Sequence, residues 1–424
     1  MNRELAKQIV SFLQISDTRG PRGISLASLD QQAWEDTLRW LDLSGLTLAF
    51  WNRLKASQAH GHVLPEVGEQ LDRNLASHRI RVAAMQHEFD LINRCLDAAG
   101  IQYAALKGFA LIPEYCPDPT MRNGYDYDYL VRPDALHSVQ EALRNAGFAL
   151  KKKYEHRVVY FQPTLVAHIP TRRDELYSAD FGRTIELHAR LWDFDALRIR
   201  LNVLEDALSR RIPHHWESSV FYALADEDHL LFQVLHTFRH ILSNWCRSSW
   251  LFEIAHFLEC RHADSLFWDK FRDRIQGDQR LSEIAGVVFA LSTGIFGGSV
   301  PLLADVLDSK RSASLDLWVN RYGIDSALDN FSVNKFNLFL HREFVQDHAT
   351  WREVRRLRLF PIHKPNRAVE ASSADVLARL MALWKQGLHV AGRLLHHLTA
   401  AIGYAWEVPR WERLRAGARS AMSD

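Results

Sequence analysis

The stretch "NGYDYDYLV", residues 123–131, contains two aspartates, Asp126 and Asp128, separated by one residue in a run of aromatic and β-branched side chains. These residue types favour a β-strand. Because side chains alternate between the two faces of a strand, the two carboxylates are expected on the same face. Their mutual repulsion disappears when a divalent cation lies between them. The stretch therefore predicts a strand that carries a cation site.

A second strand-like segment, "RTIELHARLW" at 183–192, supplies a third acid, Glu186, and places His188 two residues later on the same face. If the two strands pair, Asp126, Asp128 and Glu186 converge on one or two metal ions. Mg²⁺ binds oxygen ligands, usually one or two carboxylates together with water and substrate phosphates. Two such ions can hold the attacking and leaving oxygens in phosphoryl or nucleotidyl transfer. We expect His188 to contact phosphate or to orient a carboxylate.

Upstream, the predicted strand "IQYAAL" (101–106) is followed by Lys107, Gly108 and the helix-like segment "FALIPEYC". A glycine at a strand-to-helix junction lets the backbone approach a ligand, and the free N–H groups of a helix N-terminus bind phosphate. Lys107 would add a positive charge, although the Walker pattern "GxxxxGK[ST]" is absent. Arg122, shortly before the aspartate strand, is a candidate bidentate phosphate donor. A plain turn and an exposed loop arginine are the alternatives.

The order of elements predicts an α+β protein, mostly α overall, in which a small mixed sheet is flanked by helical N- and C-terminal regions. Apolar residues recur at spacings of three and four before and after the strand-rich part, which is the helical period. Between these parts strands alternate with helices, and "HRVVYFQP" and "TLVAHI" are further strand candidates. The expected domains are an N-terminal helical region (1–98), an α/β core (99–195), a C-terminal helical domain (196–365) and a C-terminal helix (366–424).

Residues 227–242, "EDHLLFQVLHTFRHIL", predict an amphipathic helix. Its apolar stripe consists of Leu230, Leu231, Val234, Leu235, Phe238, Ile241 and Leu242. Its polar stripe consists of His229, Gln233, His236 and His240. The polar stripe either faces a bound ligand or lies in solvent. We do not expect a zinc site there, because no third ligand lies at a useful spacing.

The C-terminal segment has apolar residues at alternating spacings of four and three, which is the heptad period of a coiled-coil seam. The positions are Leu377, Met381, Trp384, Leu388, Ala391, Leu395, Leu398 and Ile402. An intrachain bundle seam is the first interpretation, and a homodimer through 377–402 is the second. The only charged residues between Asp375 and Glu407 are basic, so association with a membrane surface is the third interpretation.

Bulk properties narrow the function classes. A net charge of +1 gives no global field that would attract a long nucleic acid, so that partner is not expected. The cysteines lack metal-ligand spacing, which argues against a disulfide scaffold or zinc module and fits a reducing compartment. The N-terminal segment has no uninterrupted signal-peptide core, and no window approaches about eighteen apolar residues. We therefore expect a cytoplasmic protein without a membrane span.

Two segments together carry a resemblance to a known family. The string "GIQYAALKGFALIPEYCPDPTMRNGYDYDYLV" (100–131), followed by "TIELHARLW" (184–192), resembles the uncharacterised nucleotidyltransferase family. This family is part of the DNA polymerase beta nucleotidyltransferase superfamily. Its members typically show a strand ending in "LKG", an arginine four residues before "D-hydrophobic-D-hydrophobic-L-V", and a later "[DE]-L-H". The resemblance covers roughly residues 30–365.

The resemblance implies roles for individual residues. The three metal-binding carboxylates of the family are matched by Asp126, Asp128 and Glu186. The triphosphate-holding turn and the family arginine are matched by Lys107, Gly108 and Arg122. Two features depart from the pattern: a Lys-Gly pair replaces the common "G-S" or "G-G" signature, and Tyr125 and Tyr127 stand where small aliphatic residues are usual.

The residues and the resemblance favour a Mg²⁺-dependent nucleotidyltransferase that moves an NMP group from an NTP to an unidentified hydroxyl or amine on a small molecule or protein. We expect ATP as the donor and two Mg²⁺ ions, with Mn²⁺ as the alternative cation. One acid, with Glu186 as first candidate, would accept the proton of the attacking group. The alternatives are a non-catalytic nucleotide-binding or partner-binding helical protein and a metal-dependent phosphohydrolase that uses the same acids.

Overall fold

The structure is a computed structural model of the 424-residue chain. It describes residues 3–15, 26–124, 126–153, 157–161, 174–179, 183–192, 194–201, 203, 205–299, 311–329, 334–360 and 376–420. The described residues belong to two compact units. Unit 1 lies within Met1–Asp193, Leu201–Phe238 and Cys246–Arg311, and unit 2 lies within Phe194–Arg200, Arg239–Trp245 and Ser312–Asp424. The domain limits expected from sequence stay a prediction.

Helices make up most of the described chain. In chain order they are α1 (Arg3–Phe12), α2 (Gln31–Ser44), α3 (Thr47–Ala56), α4 (Pro65–Ala98), α5 (Leu136–Asn145), α6 (Phe194–Leu197), α7 (Asp226–Leu242), α8 (Ser248–Arg261), α9 (Ser265–Ile275), α10 (Gln279–Phe296), α11 (Ala313–Trp318), α12 (Ile324–Leu328), α13 (Asn337–Phe344), α14 (His348–Leu359) and α15 (Val376–Ser420). A single π-helical turn, Val319–Gly323, joins α11 to α12.

The strands form one mixed sheet in unit 1. They are β1 (Tyr103–Ala105), β2 (Asp126–Val131), β3 (Ala149–Lys153), β4 (Arg157–Phe161), β5 (Thr184–His188), β6 (Ile212–Trp216) and β7 (Ser219–Ala223), in the order β3-β4-β5-β2-β1-β7-β6. The pairs β2–β5 and β1–β7 are parallel and the others are antiparallel. The predicted α+β class, mostly helical with a mixed sheet, is confirmed.

The sheet extends further along the chain than the sequence pattern suggested. β6 and β7 lie beyond residue 195, where only helices were expected. β6 contains Pro213, which a strand tolerates at the edge of a sheet, and β6 is an edge strand here. The predicted strand "TLVAHI" and the side chain of Tyr125 lie outside the described residues.

The face of β2 opposite the aspartates forms the core of unit 1 with α4. Tyr127, Tyr129 and Val131 are buried in this core with Phe89 of α4. The Tyr129 hydroxyl donates to Asn93 Oδ1 at 2.9 Å, which satisfies a polar group that burial would otherwise penalise. Tyrosines and aspartates alternate along β2, so burial of the tyrosines in the core places the aspartates on the opposite face.

A buried ion pair explains why a tyrosine is accommodated at position 127. The Tyr127 hydroxyl donates to Glu88 Oε2 at 2.8 Å and to the Met85 carbonyl oxygen at 3.1 Å. Arg183, just before β5, donates through Nε to the same Glu88 oxygen at 2.7 Å and also pairs with Glu88 Oε1. This cluster ties the starts of β2 and β5 to α4.

Helix α7 buries both of its stripes. All seven residues of the predicted apolar stripe are buried, which confirms that interpretation. His229, Gln233 and His240 of the polar stripe are buried as well, so the interpretation of a solvated face was wrong. Gln233 Nε2 donates to the Leu106 carbonyl oxygen at 2.8 Å, and His229 Nε2 lies 3.0 Å from that oxygen. The polar stripe therefore anchors α7 to the end of β1.

Within the part of the chain that the structure describes, the heptad positions of α15 do not form an intrachain seam. Their described members, Met381, Trp384, Leu388, Ala391, Leu395, Leu398 and Ile402, are exposed, and the side chain of Leu377 is outside the described residues. The helix instead packs within unit 2 through Ala400, Tyr404 and Trp411, which are buried. Among the described residues, no helix has the length and apolar character needed to cross a membrane.

We predict that Glu88→Ala lowers the free energy of unfolding by about 3 kcal/mol, because it leaves the buried Arg183 guanidinium without its carboxylate. Urea denaturation followed by circular dichroism measures the change. Asp134→Ala is the control, since it removes an exposed partner of Arg132 and should leave the midpoint unchanged. Equal effects of the two substitutions would contradict the role given to Glu88.

Burial lowers the pKa of His229 to about 4. At pH values between about 4 and about 6.5, His229 binds a proton in the unfolded chain but not in the folded chain. We therefore predict that stability falls as the pH decreases from 6.5 to 4, with up to about 3 kcal/mol from His229. Urea denaturation at several pH values should show a shallower dependence for His229→Gln than for wild type. Parallel curves would contradict this prediction.

Candidate functional site

Strands β2 and β5 lie side by side in parallel register, so that Asp128 is paired with Glu186 and Leu130 with His188. One ligand atom from each of Asp128, Glu186 and His188 lies within 4.8 Å of the others. Asp126 is two residues from Asp128 and therefore shares its face. The structure thus brings together ligand atoms of Asp128, Glu186 and His188, with Asp126 on the same face of β2.

Asp128 is the most buried carboxylate of this group, with a side chain that is 1% exposed. Its Oδ1 accepts from Lys107 Nζ at 3.1 Å and lies 2.9 Å from His188 Nε2. Burial acts to raise the pKa of Asp128, but Lys107 and His188 outweigh it and hold the pKa below its usual range. Asp128 Oδ2 is buried and has no hydrogen-bond partner within the described part of the chain. The site therefore contains an ionised carboxylate with one unused oxygen.

Asp126 differs from Asp128 although it lies on the same strand. Burial raises the pKa of Asp126, and the charge of Asp128 raises it further, while Lys107 and Arg122 act in the opposite direction. Repulsion between neighbouring carboxylates is relieved by a proton or by a bound cation. The acids therefore repel one another, as the sequence suggested, and a divalent cation fits their chemistry.

The Lys107-Gly108 turn requires a glycine for its backbone conformation. Gly108 has a φ of +67°, which residues other than glycine rarely adopt. The reason is not lack of space, because a Cβ there would meet nothing within 4 Å. The segment that follows is a short 3₁₀ turn, Gly108–Leu111, so the longer helix expected from the sequence was wrong. Pro113 explains the difference, because proline lacks an N–H group and disfavours a helical conformation in the residue before it. Phosphate binding at this turn stays a prediction.

The position of this turn is fixed by the residue before it. The Leu106 N–H donates to the Asp128 carbonyl oxygen at 2.9 Å. The Leu106 carbonyl oxygen is held by His229 and Gln233 of α7, as described above. Lys107 is thereby held where its amine contacts Asp128. The polar stripe of α7 is visible in the sequence, but its contact with the Leu106 carbonyl oxygen is not, because the partners are more than 120 residues apart.

Arg122 is held by a residue that sequence analysis missed. Its Nε donates to Glu253 Oε1 of α8 at 2.9 Å, and both side chains are largely buried. Burial raises the pKa of Glu253, although Arg122 opposes this effect. The available signal was an acid, Glu253, inside the largely apolar run 250–258 of α8, since a buried carboxylate is rare unless it is paired. Its partner lies 131 residues away, so the pairing could not be read from the sequence.

The loop that carries Arg122 into β2 is anchored to α4. His78 Nε2 lies 3.0 Å from the Arg122 carbonyl oxygen. Arg81 Nη2 donates to the Gly124 carbonyl oxygen at 3.1 Å, and the Arg81 side chain is fully buried. Buried polar residues of α4 therefore position the backbone on the N-terminal side of the aspartates.

An open cavity adjoins these residues. Its charged part is lined by Lys107, Arg122 and Asp126. Its apolar part is lined by Val82, Met85, Phe89, Phe109, Ile112 and Tyr127. The cavity combines two cations and a carboxylate with an apolar wall, which suits a ligand with an anionic group and an apolar or flat group.

The remaining histidines of α7 have separate contacts. The His236 ring packs edge-on against Trp250 at a centroid distance of 4.7 Å, and His240 packs against Trp245 at 4.9 Å. Neither residue belongs to the group of ligand atoms around Asp128. The four-residue spacing of His236 and His240 is therefore explained by packing.

Comparisons with known proteins identify the family of this chain. Residues 30–292 match the model of a protein family described as "Uncharacterised nucleotidyltransferase". The crystal structure of an antigenic nucleotidyltransferase-like protein from Paracoccidioides brasiliensis is similar at 14% sequence identity and a TM-score of 0.26, over 46% of this chain and 89% of that chain. A search of curated proteins gave no match. Because the family match spans more than half of the sequence, the chain belongs to the uncharacterised nucleotidyltransferase family.

Proposed function

We propose that the chain is a divalent-metal-dependent nucleotidyltransferase that moves an NMP group from an NTP to a hydroxyl or amine acceptor. The observation that carries the proposal is the parallel register of β2 and β5, which sets Asp128 beside Glu186 with Asp126 on the same face. Lys107 reaches this group from the neighbouring strand and contacts Asp128. Family membership supports the reaction class.

The donor atoms fit a divalent cation. Asp128 offers a buried oxygen without a hydrogen-bond partner among the described residues, and Asp126 and Glu186 add carboxylates close to it. Such oxygen donors suit Mg²⁺, and two ions are the expected number. The nearby imidazole of His188 makes Mn²⁺ an acceptable alternative. When bound, the ions would neutralise phosphate charge and stabilise the transition state.

The protein residues would have distinct roles. Lys107 and Arg122 line the cavity and would bind the triphosphate, with Arg122 oriented by Glu253. Gly108 permits the turn that places Lys107. A carboxylate oxygen of Glu186 would accept the proton of the acceptor, and His188 would orient Asp128 through their 2.9 Å contact.

The proposal extends to the donor, the acceptor and the location. ATP is the proposed donor, and the acceptor is a small molecule or a protein side chain. A long nucleic acid is not proposed, because the net charge of +1 provides no extended attraction for it. The apolar wall of the cavity would receive the base or an apolar part of the acceptor. A cytoplasmic location stays a prediction.

We predict that Asp126→Asn and Asp128→Asn each lower NMP transfer at least 100-fold, because each removes a proposed metal ligand. The assay incubates the protein with α-labelled ATP, Mg²⁺ and a panel of hydroxyl and amine acceptors, and mass spectrometry detects the added NMP. Asp134→Asn, which changes an exposed aspartate soon after β2, is the control. Transfer that survives the Asp126→Asn, Asp128→Asn double substitution would contradict the proposal, as would nucleotide affinity that needs no divalent cation.

We predict that Lys107→Met has opposite effects on two ligands. Removing the amine leaves Asp128 without the lysine cation that contacts it, so the affinity for Mn²⁺ alone should increase. The affinity for ATP in the presence of metal should fall at least tenfold, because a phosphate ligand is lost. Electron paramagnetic resonance measures free Mn²⁺, and calorimetry measures ATP binding. The control is Lys270→Met, at an exposed position on α9. Unchanged ATP affinity would contradict the role of Lys107.

A further inference from the structure

The first part of α15 has an unusual charge composition. From Val376 to Trp406 the helix contains no acidic residue, and its formally charged residues are Arg379, Lys385 and Arg393. Three histidines in the same segment, His389, His396 and His397, also carry positive charge when protonated. Any charge on this segment is therefore positive.

The apolar and basic side chains of this segment occupy opposite halves of the helix. At about 100° per residue, the large apolar residues fall within about 180° of the circumference, and the basic residues and histidines fall in the other half. The large apolar side chains are highly exposed; they include Met381, Leu383, Trp384, Leu388, Leu394, Leu395, Leu398, Ile402 and Trp406. Trp384 is 70% exposed and Trp406 is 82% exposed. An isolated surface leucine is ordinary, but a continuous apolar face of this length needs a partner.

Contacts within unit 2 fix the direction of this apolar face. Tyr404 and Trp411 each stack on Phe339 with ring centroids 5.0 Å apart. By the helical period these two residues lie on the same half of α15 as Arg393. The half that packs against unit 2 is therefore the basic one, and the apolar half faces away from it.

The basic half is also the more electropositive because of its neighbours. Lys335 and Arg358 belong to unit 2, and within the described chain no acidic side chain pairs with Lys335, Arg358, Lys385 or Arg393. Burial lowers the pKa of His397 to about 4, and the charges of Lys335 and Arg393 contribute to this shift. Among the described residues, positive charge is thus concentrated behind the apolar face without a compensating acid.

We infer that the apolar half of α15 lies in the interface of a membrane that contains anionic phospholipids, with the helix parallel to the surface. A helix with Trp and Leu on one half and only basic charge on the other is the type that binds such an interface. The basic side chains complement the negative surface, and each contributes when it lies near the headgroups.

The heptad homodimer is the main rival, and two observations count against it. A two-helix seam covers only a narrow stripe. Leu383 and Leu394, which are 68% and 65% exposed in the single chain, would therefore remain in water in such a dimer. Paired copies would also bring basic segments together without acids to pair with them, whereas coiled coils commonly use opposite charges beside the seam. A lipid surface accommodates the full width of the apolar face.

The test is co-sedimentation of the full chain with vesicles of phosphatidylcholine alone and of phosphatidylcholine with phosphatidylglycerol. We expect binding to the mixed vesicles, little binding to the neutral ones, and weaker binding at high salt. Leu388→Ser with Leu395→Ser should weaken binding at least tenfold, as should Lys385→Gln with Arg393→Gln. Leu266→Ser, at a position on α9 that is 66% exposed, is the matched control and should bind like wild type.

Circular dichroism verifies that all variants remain folded, which is expected because the substituted side chains are exposed. Equal binding to both vesicle types, or unchanged binding of either double variant, would overturn the proposal. Sedimentation velocity without lipid tests the rival. A concentration-dependent dimer that Leu388→Ser with Leu395→Ser abolishes, together with no vesicle binding, would assign the face to a second copy and also overturn the proposal.

Discussion

The parallel pairing of β2 with β5 is the constraint on which the site depends. This register places the Asp128 carboxylate beside Glu186 and buries it, and a buried carboxylate is costly unless other groups compensate its charge. Lys107, just after β1, and His188, at the end of β5, both contact Asp128 and provide that compensation. A shift of one residue in either strand would turn the acids of that strand toward the apolar core that the sheet forms with α4.

Helices α4 and α7 hold backbone atoms around the site, whereas α8 contributes an acid, Glu253, that pairs with Arg122. Buried side chains of α4 contact the carbonyl oxygens of Arg122 and Gly124. Two side chains of α7 contact the carbonyl oxygen of Leu106, which precedes the lysine turn. Each contact satisfies a buried polar group on the helix and also fixes a loop at the sheet. The same hydrogen bonds therefore contribute to stability and to the geometry of the site.

The parts that sequence predicted were those governed by short-range periods. The alternation along β2 and β5 correctly placed Asp126, Asp128, Glu186 and His188 on one face, because the strand period of two depends only on local geometry. The expected helix after Gly108 was wrong because one proline outweighed the apolar pattern.

Partners that are far apart in sequence could not be predicted. Glu253 pairs with Arg122 across 131 residues. The polar stripe of α7 left both a ligand-facing and a solvated interpretation open, because a polar stripe has the same period whether or not it is buried. The heptad of α15 is a similar case, since the apolar spacing of a bundle seam also suits a membrane-facing helix. What separates these possibilities is the width of the apolar arc and the sign of the charges opposite it. An overall charge of +1 conceals both the cluster of acids in the sheet and the acid-free helix. The partners of this chain are therefore constrained by the charge of each segment and not by the net charge of the whole chain.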